Sequence, residues 1–166
     1  MIIVVMGVAG CGKSTIGKLL ADRLSLPFIE ADDFHSKENI SKMSNGIPLT
    51  DKDRYPWLQS LSNELKWHEQ EGAVLACSAL KESYRKILQQ GLRDKIIWIY
   101  LEGNEKLLLE RIQNRKGHFM HAELLRSQLA TLEKPAYAYC FSIEKKPETI
   151  VNEVINRLGN KDRPSQ

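Results

Sequence analysis

Residues 7–15 read Gly-Val-Ala-Gly-Cys-Gly-Lys-Ser-Thr, and they stand directly after the apolar run Ile2–Met6. The pattern GxxxxGK followed by Ser or Thr, between an apolar strand and an amphipathic helix, predicts a phosphate-binding loop. Its glycines let backbone N–H groups point inward, and the helix N-terminus adds partial positive charge. Lys13 is expected to reach the β- and γ-phosphates of a nucleotide, and the Ser14 hydroxyl to coordinate Mg²⁺. The predicted nucleotide-binding residues are Gly7, Gly10, Cys11, Gly12, Lys13, Ser14 and Thr15.

Short β-branched segments alternate with helical patterns along the whole chain. This alternation predicts an α/β fold in which helices cover both faces of a parallel sheet. Five segments are too short and too continuously apolar to be surface helices. The predicted strands are residues 2–6, 28–30, 73–77, 96–101 and 139–143. Together with the phosphate loop, they predict a five-stranded P-loop NTPase.

Three helices can be placed by the spacing of their apolar residues. The first follows the phosphate loop. The second is predicted to begin near Pro56, because proline costs nothing in a first turn, and to end at Gly72. The last covers residues 150–158 and ends before Gly159, which leaves residues 159–166 as a polar tail. Two polar stretches, 32–53 and 114–126, are long enough to carry function.

The composition narrows the class of protein. The chain has 166 residues and a net charge of +3, and its length fits one domain, which we expect at residues 1–158. Lys and Arg are scattered among acids, so no nucleic-acid partner is predicted. No apolar run approaches the roughly 18 residues of a membrane span, and no basic leader precedes the apolar start. Cys11, Cys77 and Cys140 lack the spacing of disulfide or zinc proteins, so free thiols and a cytoplasmic location are expected.

A phosphate loop does not identify the group that receives the phosphate. GTPases usually carry an NKxD motif, whose final acid is missing at residues 160–163, and motor ATPases are larger, so a small-molecule kinase is predicted. The second strand leads into Asp32 and Asp33, at the edge where α/β folds bind ligands. A carboxylate there can orient an acceptor hydroxyl and take its proton. The other interpretation is that these acids cap the next helix.

Residues 31–58 read ADDFHSKENISKMSNGIPLTDKDRYPWL, residues 77–85 read CSALKESYR, and RKGHFM and SQLATLEKP follow later. These blocks, which span nearly the whole chain, resemble the bacterial-type gluconokinase family of P-loop kinases. The resemblance implies transfer of the ATP γ-phosphate to the 6-hydroxyl of D-gluconate, a nucleoside-monophosphate-kinase-like fold and often a homodimer. Ala31 stands where the family usually has glycine, and Asp33 with Phe34 stands where several members have leucine. These departures leave the role of Asp33 open.

A sugar acid presents one carboxylate and a row of hydroxyls, so its site should offer cations with polar partners. Arg54 follows a polar loop and can hold a carboxylate through two parallel hydrogen bonds. Lys81 and Arg85 follow the third strand and should reach the same crevice. Each of these cations could instead be a solvated surface residue. His35 could donate to a substrate hydroxyl or satisfy a loop carbonyl, and with Asp32 these residues form the predicted acceptor site.

Arg111 and Arg115 have i, i+4 spacing and lead into the polar stretch 114–126. This arrangement resembles a kinase lid, which closes over ATP, excludes water and brings arginine toward the transferring phosphate. Both arginines are therefore candidate catalytic residues with Lys13 and Asp32, and Arg111 is also expected to bind ATP. The other interpretation is a helix end whose arginines favour its negative C-terminus. Two other functions stay open: a kinase for another polyol acid or metabolite such as shikimate, and a nucleotide-dependent binding module.

Overall fold

The computed structural model describes residues 1–114 and 122–161. Within these ranges, one or two helices separate successive strands, and one 3-10 turn lies at Ala31–Phe34. The strands are β1 (Ile2–Met6), β2 (Phe28–Glu30), β3 (Ala73–Ala76), β4 (Ile97–Glu102) and β5 (Tyr139–Ser142). The helices are α1 (Lys13–Leu24), α2 (Lys37–Ser44), α3 (Asp51–Trp67), α4 (Glu82–Gln89), α5 (Glu105–Gln113), α6 (Ala122–Thr131) and α7 (Pro147–Lys161). Within the described ranges, no helix combines the length and the apolar character that crossing a bilayer requires.

The five strands form one parallel sheet in the order β2-β3-β1-β4-β5. Crossover connections between parallel strands are right-handed. α1 therefore lies on one face of the sheet, and the helices of the connections that cross the sheet in the opposite direction lie on the other face. The helix contacts agree, because α1 packs on α7 whereas α3 packs on α4. The prediction of a five-stranded parallel sheet with helices is confirmed.

The central strand β1 is buried along its length, and residues 3–6 have no exposed surface. Val4 is in register with Leu75 of β3 on one side and Trp98 of β4 on the other. A strand enclosed in this way must be continuously apolar, which explains why the run before the phosphate loop contains no polar residue. Because all strands run in one direction, their carboxyl ends meet at a single edge of the sheet.

Strand boundaries differ from the predicted ones by at most one residue, but the start of α3 was predicted wrongly. The helix begins at Asp51, because Thr50 and Asp53 form a capping box in which each side chain accepts the other residue's backbone N–H. Pro56 therefore lies inside the helix and not in its first turn. The helix ends at Trp67, and Gly72, with φ +92°, belongs to the turn that follows.

The end of α7 also corrects the sequence prediction. The helix starts at Pro147 and continues through Gly159 to Lys161, so residues 159–161 belong to the helix and not to a tail. A glycine near a helix end costs only about 1 kcal/mol relative to alanine, which does not force the helix to stop. The remainder of the predicted tail, 162–166, lies outside the described residues.

Asp53→Asn is expected to lower the free energy of unfolding near neutral pH. The Lys42 ammonium, 2.9 Å from both carboxylate oxygens, together with the Thr50 backbone N–H, lowers the pKa of Asp53 from 3.8 to about 2. A carboxyl group whose pKa is lower in the folded state stabilises that state above its unfolded pKa. The difference between variant and wild type should therefore shrink as the pH falls from 3.8 towards 2. Urea unfolding across this pH range measures it.

Asp94→Asn is the matched control, because the Asp94 carboxylate has no hydrogen-bond partner among the described residues. A deficit for Asp53→Asn that stays constant down to pH 2 would contradict the assignment.

Candidate active site

The phosphate loop connects β1 to α1 and depends on residues without side chains. Gly7 has φ +147°, and a Cβ atom there would lie 2.7 Å from Cys11 Sγ and 2.9 Å from the Leu101 carbonyl oxygen. Gly12 has φ +95° and immediately precedes the first helical residue, Lys13. Other residues would be strained or would clash at these positions. The loop thus turns tightly over the end of β1 and leads directly into a helix N-terminus.

The two functional side chains at the start of α1 point to different partners. Lys13 Nζ donates to the Val8 carbonyl oxygen at 3.1 Å, so the ammonium lies against the phosphate loop. Ser14 Oγ donates to Glu30 Oε2 at 2.5 Å. Glu30 ends β2, which lies two strands from β1 at the same sheet edge. Hydroxyl and carboxylate oxygens are the ligands that Mg²⁺ prefers, so the donor set of Ser14 and Glu30 fits this ion.

A cavity of about 330 Å³ opens beside the phosphate loop. Gly12 and Thr15 line one side, and the β5–α7 connection with Ile143 and Pro147 lines the other. Its volume is at the small end of the range for small-molecule sites. Arg111 from α5 borders the cavity and donates from Nη2 to the Ile143 carbonyl oxygen at 2.6 Å. Arg111 is thus held next to the loop, where it can contact a bound nucleotide.

The remainder of the predicted lid is only partly described. Asn114 forms the C-terminal cap of α5, and residues 122–126 form the first half of α6. Arg115, the second arginine of the predicted pair, lies outside the described residues, as does the stretch up to 121. The roles of Arg115 and of the lid stay predictions.

Asp32 lies in the exposed 3-10 turn that follows β2. Its carboxylate makes no hydrogen bond to any residue that the structure describes. The following helix, α2, is capped by Ser36, whose Oγ accepts the Asn39 backbone N–H at 3.1 Å. Asp32 and Asp33 therefore do not cap this helix. Asp32 remains available to an acceptor hydroxyl.

His35 is held in a fixed orientation beside Asp32. Its ring stacks on Trp57, with centroids 4.3 Å apart and planes 14° apart, and Trp57 Nε1 donates to the Ala31 carbonyl oxygen at 2.7 Å. Burial lowers the pKa of His35, opposed by the charge of Asp32. The ring is therefore mainly neutral at pH 7. The Asn39 side-chain amide, 3.4 Å from Nδ1, favours the tautomer in which Nε2 carries the proton and can donate.

Arg54 and Lys81 lie in one cluster, where both already contact groups of the chain. Lys81 Nζ donates to both Asp51 carboxylate oxygens at 3.0 and 3.1 Å. Arg54 Nη1 donates to the Leu49 carbonyl oxygen at 2.6 Å and to the Tyr84 hydroxyl at 3.3 Å. The Tyr84 hydroxyl in turn donates to Asp51, and this bond and the Lys81 ammonium lower the pKa of Asp51.

This cluster leaves donors available for a ligand. The N–H groups on Nε and Nη2 of Arg54 have no hydrogen-bond partner in the described part of the chain. One N–H from each of these nitrogens forms an edge of the guanidinium fork, which matches the two oxygens of a carboxylate. Lys81 uses two donors on Asp51 and has a third remaining.

The predicted substrate contact of Arg85 is corrected by the structure. Its side chain is only 2% exposed, and every guanidinium nitrogen donates inside the protein. Nη1 binds the carbonyl oxygens of Ala79 and Leu80, and Nη2 binds the Glu133 carbonyl oxygen and the Glu82 carboxylate. No donor is left for a ligand, so Arg85 has a structural role. It holds the turn at Ala79, where φ is +43° in a residue with a side chain.

Sequence reasoning assigned no role to four residues that the fold brings to the site. Tyr84, Asp51 and Gln128 belong to quoted motifs, whereas Glu30 ends the second predicted strand, where an acid was a usable signal. Asp51 could be recognised only from the structure, in which it is the first residue of α3 and follows the capping residue Thr50. Gln128 on α6 accepts the Ala9 backbone N–H at 2.8 Å across 119 residues of sequence, which no local pattern could indicate.

The fold, the phosphate loop and the acidic and cationic groups at the same sheet edge define a P-loop kinase of small molecules. A family model described as shikimate kinase matches residues 9–159. A probable gluconokinase from Dictyostelium discoideum is 45% identical over an alignment of 172 positions, which covers 95% of this chain and 86% of the relative.

Solved structures agree with these matches. A gluconokinase from Sinorhizobium meliloti superposes with a TM-score of 0.83 at 40% identity and covers 97% of both chains. A sugar kinase from Janibacter has a TM-score of 0.88 at 42% identity, over 95% of this chain and 94% of its own. The chain belongs to the gluconokinase family.

Arg85→Met should destabilise the protein. The substitution leaves the Ala79 and Glu133 carbonyl oxygens without their donor, at about 1–3 kcal/mol for each group that stays buried and unpaired. Thermal and urea unfolding measure the loss. Lys86→Met, which removes an exposed cation from the same helix, should leave stability nearly unchanged. If the Arg85 variant kept wild-type stability and lost only affinity for the acceptor substrate, the substrate-binding interpretation would be restored.

Proposed function

We propose that this protein transfers the γ-phosphate of ATP to the 6-hydroxyl of D-gluconate and releases 6-phospho-D-gluconate and ADP. The observation that carries the proposal is 40–45% identity to gluconokinases over most of the chain. The site supports it independently, because a free carboxylate and two cations lie at the sheet edge that carries the phosphate loop. We further propose a single kinase domain, a cytoplasmic location and, from the resemblance, a homodimer.

ATP would bind across the phosphate loop, with its base in the cavity that Arg111 borders. Ser14 and Glu30 would hold Mg²⁺, which supplies positive charge to the phosphate oxygens when it is bound. Lys13 uses one of its three donors on the Val8 carbonyl oxygen and would direct the others to the β- and γ-phosphates. Arg111, and Arg115 from the lid, would stabilise the charge that develops during transfer. Closure of the lid would exclude water and so prevent hydrolysis.

Gluconate would lie between the phosphate loop and the cluster around Arg54. Asp32 would orient the acceptor hydroxyl and take its proton, and the neutral His35 would donate from Nε2 to another hydroxyl. The unused edge of Arg54 would hold the substrate carboxylate, assisted by Lys81. This arrangement would place the reacting hydroxyl and the carboxylate at opposite ends of the substrate, as phosphorylation at the 6-position requires.

One observation favours a second acceptor, because the matching family model is described as shikimate kinase. Shikimate also carries a carboxylate and hydroxyls, so the cationic cluster alone does not separate the two acids. A binding module without phosphoryl transfer is disfavoured by the free carboxylate of Asp32 next to the phosphate loop.

An ADP-release assay with gluconate, its epimers, shikimate and nucleoside monophosphates tests the proposal. Gluconate should support turnover far above the other acceptors. Asp32→Asn should lower kcat by about 10²-fold or more, the usual scale for a general base. Asp33→Asn, in the same exposed turn, is the control and should keep most of the activity. Preference for shikimate, nucleotide binding without acceptor-dependent ADP release, or an unchanged kcat for Asp32→Asn would contradict the proposal.

Arg54→Ala should raise the KM for gluconate at least tenfold, because a hydrogen bond to a charged group contributes about 1.5–3 kcal/mol. The KM for ATP should change much less. The affinity for sorbitol, which lacks the carboxylate, should fall much less than the affinity for gluconate when the binding of each is measured. Lys52→Ala removes an exposed cation from the same helix and should change neither constant. Equal losses for gluconate and sorbitol, or a selective loss for ATP, would refute the assignment of Arg54.

A further inference from the structure

The peptide group between Val8 and Ala9 is held from both sides. Its carbonyl oxygen accepts from Lys13 Nζ at 3.1 Å and from the Cys11 backbone N–H at 3.3 Å, and its N–H donates to Gln128 Oε1 at 2.8 Å. The C=O and N–H of a trans peptide point in opposite directions, so Lys13 and Gln128 lie on opposite sides of the loop. The Gln128 side chain thus ties the orientation of this peptide to an element outside the loop. The peptide in turn provides the carbonyl that holds the Lys13 ammonium.

Gln128 is itself fixed by the helix that carries it. Leu124 and Leu125 of α6 are buried in the protein at 4% and 0% exposure. Just beyond the helix, the Glu133 N–H donates to the Leu80 carbonyl oxygen at 2.8 Å, and Glu133 Oε2 accepts the Glu82 N–H at 2.8 Å. The helix is thus anchored at the segment that carries Lys81, and Gln128 extends from this anchored element to the phosphate loop.

The core contacts of α6 would hold the helix without Gln128, because a single hydrogen bond adds little to the burial of two leucines. The phosphate loop has fewer constraints, since Gly7 and Gly10, on either side of Val8 and Ala9, allow backbone angles that other residues exclude. The Val8–Ala9 peptide is therefore the group that loses its orientation when the Gln128 oxygen is removed. A rotated peptide would direct its carbonyl dipole elsewhere and leave Lys13 without its observed partner.

We propose that Gln128 is a positioning residue, which fixes the Val8–Ala9 peptide and through it the Lys13 ammonium. It thereby links the phosphate loop to the acceptor segment, which the chain contacts just after α6. The inference rests on the proposed phosphoryl transfer for its effect on turnover, but the link between Gln128 and the loop exists without any acceptor.

Gln128→Met keeps the length of the side chain and removes the acceptor oxygen. Its kcat should fall about 10- to 100-fold, the scale of a small misplacement of catalytic groups, whereas the KM for gluconate should change little. Gln89→Met is the matched control, because Gln89 Oε1 likewise accepts a backbone N–H, that of Ile96 at 2.8 Å, away from the site. Both variants should lose similar stability in thermal unfolding, and Gln89→Met should keep wild-type kcat.

A second measurement needs no acceptor. In ¹H–¹⁵N spectra of the full chain, the Ala9 amide proton should shift upfield in Gln128→Met and stay in place in Gln89→Met, and ADP affinity should fall only in the former. If the wild-type protein failed to phosphorylate gluconate but the Ala9 amide shifted in Gln128→Met, the proposed function would be contradicted and the positioning role supported. An unmoved Ala9 amide, or equal kcat for both variants, would overturn the positioning role.

Discussion

The close packing of Gly7 against Cys11 and the Leu101 carbonyl is the constraint on which the site depends. A hydrogen atom in place of a side chain lets the chain leave β1 and turn at once over the sheet edge. The turn starts α1 directly afterwards, so Lys13 and Ser14 are the first two residues of that helix. The backbone amides, the helix N-terminus and both functional side chains therefore lie together because one position has no Cβ atom.

The strand order then brings the other parts of the site to this loop. β3 lies beside β1, and β2 lies beside β3, so Glu30 and the turn with Asp32 reach the same edge as the Lys81 segment. Each connection adds one component: β2 leads to the acid, β3 leads to the cationic segment, and α6 returns to the loop through Gln128. The buried strands form a rigid base, and the proposed catalytic and binding side chains lie on the exposed segments that follow them. Different residues therefore serve stability and catalysis.

The sequence predicted the features that depend on local spacing. The phosphate loop and the five strands could be inferred, because each follows from a motif or from the apolar pattern of a parallel sheet. The start of α3 was missed because the Thr50–Asp53 capping box outweighs the preference of Pro56 for a first turn. Arg85 was misassigned because an arginine in a motif looks the same whether its donors face solvent or buried carbonyls. The contact between Gln128 and Ala9 depends on tertiary packing alone.

We propose that the phosphoryl group is transferred to the 6-hydroxyl of gluconate, at the end of the substrate opposite the carboxylate that Arg54 would hold. A ³¹P–¹H correlation spectrum of the product formed from gluconate and ATP tests this transfer directly. We expect a phosphomonoester signal that couples to the two protons on C6, with ADP formed in equal amount. Coupling to a single proton, which would place the phosphate on a secondary hydroxyl, or the absence of a product signal would contradict it.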